Sequence, residues 1–353
     1  MKITRIDKHK VVVPMKPDTV NSPAFDHDQG LSTFDRVPKF ILRAQTDDGL
    51  VGIGETGRGV PEAAVDQAIA ALVGKDPRQL DLHAVAPRNA AYGAAEQVVF
   101  DLAGKAWGVP AYKLLGGGYR DRVLVDYWTA RRTPEDLARK ALEGKQKGFH
   151  GIKIKCALED PNVERVKAVA QACGPDFKIT IDPNTRFYKP IHAIRLARQL
   201  EGYNVEVFED PVPKGNLDWY VLLRQKMNIA VALHLGAPAQ VFEAVKREAV
   251  DYLNISPGNM VEFVRCAYIA HAADVPVWHG SGVDLGIMDT SYVHACAAAP
   301  NCTLASDIVG NFLREDDLLI EPIRFENGHA LVPQKPGLGV ELDLEAVRKY
   351  SVK

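Results

Sequence analysis

No apolar run in this chain approaches the roughly 20 residues that cross a bilayer, so a membrane-spanning helix is not expected. The opening residues, MKITRIDKHKVVVP, alternate charged with apolar side chains and lack the continuous apolar core of a secretion signal. A cytoplasmic location is therefore expected. Excess charge is missing too. The formal net charge of −2 cannot build a field that gathers polyanions, and nucleic acid is not an expected partner. Paired cysteines are absent: Cys156, Cys173, Cys266, Cys296 and Cys302 are odd in number and form no CxxC. That spacing speaks against a disulfide framework and fits reduced thiols. Cys156 reads as a packed small apolar residue before it reads as a redox thiol. Low-complexity tracts are also missing.

What is present is ordinary globular composition, 46% hydrophobic and 25% charged. A chain of 353 residues can bury a large core, and one large domain with a smaller one is the natural division. Residues 1–13 alternate as a strand. Residues 14–33, rich in Pro, Asp, Asn and Ser and carrying His27, form a long loop of the kind that serves as a lid. PKFILRAQT and LVGIGE, joined by Asp47-Asp48-Gly49, predict an antiparallel hairpin. Ala-rich helical runs follow from Pro61 to about Trp107, broken near Pro77 and Pro87. This first part reads as an α+β unit.

After LLGGGYRDR at 114–122 the texture changes. Eight short apolar strands are predicted, VLVDYWTA, GIKIK, FKITID, VEVFED, IAVALH, VDYLNIS, VPVWHG and TLASDI, with amphipathic helices between them. The strands end on chemistry at regular intervals: Lys155, Asp182, Glu209, His234, Ser256 and His279 are 22 to 27 residues apart. One βα unit of a roughly 250-residue barrel needs about that length. A doubly wound open sheet alternates as well, but it does not place chemistry on nearly every successive strand. An α/β barrel is expected, whose strand ends converge on one mouth. The expected division is a cap over 1–118, the barrel over 119–320, and a segment over 321–353 that packs back on the cap.

Two stretches carry the chemistry. In GIKIK, Lys153 and Lys155 stand two apart on a strand and so share one face. Two ammonium groups on one face repel, which predicts that one of them loses its proton more easily and can act as a general base. In ITIDPN an apolar strand ends in Asp182, placing a carboxylate at the mouth.

GLVGIGE at 49–55, GVPAYKLLGGGYRDRV at 108–123, KIK at 153–155, DPN at 182–184, FEDP at 208–211 and PGLGVE at 336–341 together resemble the enolase superfamily, in its mandelate racemase and muconate lactonizing branch. The resemblance implies a modified TIM barrel, (β/α)7β, with an N-terminal α+β capping domain. It also implies a divalent cation, usually magnesium, and removal of the proton α to a substrate carboxylate to give an enediolate. Such a base with magnesium is a known pattern of pKa tuning, and a doubly charged oxyanion needs fixed positive charge beside it. Asp182 and Glu209 match the first two metal positions, with helix capping as the plainer alternative. The third position, usually Glu or Asp, is His234, a softer donor with one negative charge fewer. It is expected to ligate, or else to bind substrate. Magnesium is expected, with manganese or another divalent ion as the alternative.

Lys155 matches the catalytic lysine and Lys153 its partner. On the far wall the matching residues are Ser256, where relatives carry Asp or Lys, and His279, expected as a mouth-facing acid or else a packed histidine. Trp278 and Phe208 read as packing residues. Asn184, Ser256 and the cap residues His27 and Arg58 are substrate-binding candidates; Arg58 could pair a distal carboxylate. One base without a sure second favours dehydration of a hydroxy acid or acid sugar over racemisation, epimerisation or cycloisomerisation. A binding protein that kept the barrel and lost turnover is the third reading. Small carboxylates are the expected substrates, and a homo-oligomer the expected assembly.

Overall fold

The computed structural model describes residues 1–25 and 36–352. The N-terminal alternation becomes β1 (Ile3–Val11), which pairs antiparallel with β2 (Lys39–Thr46), and β2 with β3 (Val51–Glu55). Gly49, at φ 88°, makes the turn that an L side chain resists. Helices α1 (Glu62–Leu72) and α2 (Tyr92–Trp107) follow. Gly54 shows why α2 can lie directly on β3: a Cβ there would meet the Ala94 carbonyl oxygen at 2.3 Å. The short α3 (Ala111–Leu114) leads out of this cap.

The predicted first barrel strand divides in two. β4 (Arg122–Leu124) pairs with the C-terminal hairpin, and only β5 (Tyr127–Thr129) enters the barrel sheet. Then come α4 (Pro134–Gln146), β6 (Gly151–Lys155), α5 (Asn162–Cys173), β7 (Lys178–Asp182), α6 (Pro190–Leu200) and β8 (Val205–Glu209). α7 (Leu217–Lys226), β9 (Ala230–Leu235), α8 (Pro238–Lys246), β10 (Tyr252–Ile255), α9 (Met260–His271), β11 (Val277–His279) and α10 (Gly286–Ala298) continue the alternation. Thr133 caps α4, its hydroxyl accepting from Asp136 N at 3.4 Å, and Pro134 sits at the first helical position. β5 to β11 form one parallel sheet of seven strands in sequence order. The predicted eighth strand, TLASDI, is not a continuous ladder. The chain closes the gap with single bridges, Cys302 to Val277 and Ser306 to Val125.

Inside the barrel, Trp278 packs on Val207 and Ala232. Only about 10 Å³ remains between Lys153 and the floor, so the lumen is a filled core. Phe208 faces the other way, edge-on to Phe187. Among the described residues no helix is long and apolar enough to cross a membrane.

After α11 (Gly310–Leu313), the hairpin β12 (Phe325–Glu326) and β13 (His329–Leu331) completes the sheet with β4. The chain then runs back along the cap. Leu338 N donates to Asp101 of α2 at 2.8 Å, and beyond α12 (Leu344–Tyr350) Val352 N donates to Lys10 O at 2.9 Å.

Two buried cap carboxylates dock on barrel helices. Glu55 accepts N–H bonds from Leu285 and Met288 at the start of α10, both at 2.8 Å, and also pairs with Lys39. Glu96 accepts from Met260 at 2.6 Å and Val261 at 3.4 Å at the start of α9. Carboxylates suit helix N-termini because four N–H groups there lack intrahelical partners. Burial nevertheless pushes the Glu96 carboxyl up to about 8, from an ordinary 4.5. An acid with a raised folded-state pKa takes up a proton on folding, so its contribution to stability falls as pH rises between those two values. Urea unfolding from about pH 5 to about pH 8 is expected to show the wild type losing stability relative to Glu96→Gln. Parallel curves for the two proteins would mean that this carboxyl titrates normally.

Candidate active site

Strand register assembles the mouth. Lys155 on β6 pairs with Asp182 on β7, and His234 on β9 with Asn254 on β10. Lys155, Asp182, His234 and Asn254 thus stand near the C-terminal ends of their strands, with Lys153 below Lys155 on the same face. The Lys155 ammonium bonds the Asp182 carboxylate directly. Lys153 Nζ lies 2.7 Å from Glu209 Oε2, 2.8 Å from Asp307 Oδ2 and 3.4 Å from Asp182 Oδ2. Asn184, exposed and at φ 46°, donates its backbone N–H to Asp182 Oδ1 at 2.9 Å. Its side chain has no described role in this cluster.

The charges explain one another. Burial opposes the Lys153 cation, yet Asp307, Glu209 and Asp182 hold its pKa well above the usual lysine range. Repulsion by its twin lysine, the expected influence, is overridden by these three carboxylates. Burial works against the Asp182 anion as well, but Lys155 and Lys153 hold its carboxyl below the usual range. Burial, and then the Asp182 charge, push Glu209 up to about 8. Burial, with Lys153 and Lys214 nearby, brings His234 down to about 3, which leaves its imidazole neutral.

One group among the described residues has donor atoms close enough to hold a metal ion: those of Glu209, Asp210 and His234 lie within 4.8 Å of one another. His234 Nδ1 is 3.7 Å from Glu209 Oε1. Both Asp210 oxygens have partners, His234 N at 2.9 Å and Lys214 at 3.0 Å, and so do both Asp182 oxygens, which meet the Asn184 N–H and Lys155. Asp182 shares Lys153 with Glu209. Two carboxylates and a neutral imidazole suit a divalent cation.

The opposite wall departs from expectation. His279 does not reach the mouth. Its neighbours Trp278 and Gly280 take the lumen side, and its register partner Ile255 faces the helices. The imidazole stacks on Tyr292 at 3.5 Å between ring centres, lies edge-on to Phe263, and its Nδ1 bonds Ile255 O at 3.2 Å. Burial brings it down to about 4. It is a packed neutral histidine, and the expected acid is corrected accordingly. Ser256 is at the mouth, with its hydroxyl donated to Gly280 O. Arg58 is half-buried on the cap turn, where burial lowers its pKa and Asp284 counteracts. His27 lies outside the described residues.

Three mouth residues escaped the sequence reading. Asp307 ends the eighth strand segment and follows the same strand-end rule that found Asp182. Asn254, two residues before Ser256, bonds Glu209 Oε1 at 2.8 Å through Nδ2. Lys214, from the loop after β8, reaches His234 O at 2.8 Å. Neither Asn254 nor Lys214 has a signal of its own in the sequence.

Comparison with known proteins agrees with this fold. Residues 136–347 match the family model described as enolase C-terminal domain-like, and residues 17–116 the N-terminal domain of mandelate racemase / muconate lactonizing enzyme. The D-xylonate dehydratase of Haloferax volcanii is 31% identical over 90% of this chain and 86% of its own length. Muconate cycloisomerase 1 of Rhodococcus opacus is 28% identical over 76% of this chain and 74% of its own. The crystal structure of N-succinyl Arg/Lys racemase from Bacillus cereus superposes with a TM-score of 0.88 at 24% identity, covering 100% of this chain and 99% of that one. The barrel, the cap and both family matches lead to one conclusion: this chain is an enzyme of the enolase superfamily, in its mandelate racemase and muconate lactonizing branch.

Proposed function

We propose that this enzyme dehydrates a small hydroxy carboxylate, an acid sugar in the first instance, with Lys155 as the base. One observation carries the reading. The amine of Lys155 stands at the mouth on one wall, while the facing lumen positions Asn254, Ser256 and Gly280 bear no acid or base. Racemisation needs such a group on both faces of the α-carbon; elimination does not. A divalent cation held by Asp182, Glu209 and His234, magnesium first and manganese as the alternative, supplies positive charge to the substrate carboxylate. Lys153 adds its fixed ammonium to the same region.

Lys155 takes the α-proton, and the C–H electron pair becomes the new C=C bond. The C–O bond of the β-hydroxyl breaks, and the proton on Lys155 leaves with that oxygen as water. With His279 turned outward, Lys155 serves both transfers from one face. The enol product then tautomerises to a 2-keto acid. The likeness of the whole chain to a racemase supports a second reading, proton exchange without loss of hydroxyl. A screen of acid sugars and N-acylated amino acids with Mg²⁺ in D₂O decides between them. We expect a 2-keto acid from an acid sugar; deuterium at the α-carbon of recovered substrate, with no keto acid from any compound, would overturn dehydration.

A further inference from the structure

Asn254 is fully buried on the lumen side of β10, between His234 and Trp278 in register. Its Nδ2 donates to Glu209 Oε1 at 2.8 Å, the same oxygen that faces His234 Nδ1 at 3.7 Å. The NH₂ end of the amide is the end that faces Glu209. The other end, Oδ1, is buried with no hydrogen-bond partner. Gly280 makes the room. A Cβ there would lie 2.1 Å from Asn254 Oδ1 and 2.5 Å from Nδ2, so the amide fills the space of the missing side chain. Glu209 is thus gripped at both oxygens, by Lys153 at Oε2 and by Asn254 at Oε1. Two fixed donors on one carboxylate leave its plane little freedom to rotate.

We infer that Asn254, wedged against Gly280, is a positioning residue that presents Glu209 Oε1 toward His234 for the divalent cation. This rests on the cation reading above. Groups that orient a ligand in this way change metal affinity by about 10- to 100-fold when removed. The experiment titrates Mn²⁺ into the full chain, by calorimetry and by the Mn²⁺ electron paramagnetic resonance signal, for wild type, Asn254→Ala, Gly280→Ala and the double variant. Each single change should weaken Mn²⁺ binding about 10-fold or more. Gly280→Ala acts by displacing the amide, so it should add nothing once the amide is gone. Wild type and Asn254→Ala binding equally well, or two effects that simply add, would overturn the inference. So would a lower urea midpoint with unchanged Mn²⁺ affinity, which is what a purely structural asparagine gives. Should Asn254→Ala fail to fold, Gly280→Ala alone carries the test. Wild type that takes up no Mn²⁺ would instead bring down the cation reading, and this inference with it.

Discussion

Replacing Lys155 with methionine should lower kcat by at least about 10³-fold, within the range that a positioned general base contributes. Methionine keeps an unbranched stem, and this lysine is partly exposed, so packing changes little. Asp182 loses one cation but keeps Lys153 at 3.4 Å and the Asn184 N–H at 2.9 Å, and the fold should persist. Divalent-ion affinity should hold or tighten, because Lys155 no longer occupies Asp182 Oδ2. The checks are keto-acid formation and α-proton washout, with calorimetric Mg²⁺ binding as the control. A variant that still exchanges the α-proton near the wild-type rate would remove Lys155 from the role of base.

The second large effect concerns stability. Lys153 is almost wholly buried and meets three carboxylates. Removing one partner of a buried ion pair costs about 3–5 kcal/mol, because the remaining charge is stranded away from water. Lys153→Met strands Glu209 and Asp307 and leaves Asp182 with Lys155 alone, so a loss of about that size is expected in urea unfolding of chelator-treated protein. Saturating Mg²⁺ should shrink the deficit, since carboxylates freed of Lys153 bind the cation more tightly and mass action then stabilises the variant more than the wild type. Unchanged stability without metal would mean that the carboxylates do not depend on this ammonium, and the electrostatic account of the lumen would fail.

The barrel and half of the mouth were legible because apolar strands stop abruptly at Lys155, Asp182 and Glu209. An ionisable residue ending such a strand has few explanations other than a shared mouth. His279 was harder. VPVWHG allows either Trp278 or His279 to face inward, and a three-residue strand has too little alternation to fix its phase. The phase is set across the sheet, where Asn254 fills the place beside Gly280. Asn254 itself carries no charge to draw attention. Asp307 sits on a segment joined to its neighbours by single bridges, so its strand signal is weak. Glu96 finds its partners 164 and 165 residues away, a separation that no local pattern encodes.

Glu55 and Glu96 also bear on how such enzymes diversify. Cap and barrel look separable on paper, yet each half finishes hydrogen bonds that the other begins. A transplanted cap would have to bring acceptors to the first turns of both α9 and α10, or leave those turns bare. Swapping a whole cap is therefore constrained at two points on the seam with the barrel, whereas loop changes within an existing cap are not.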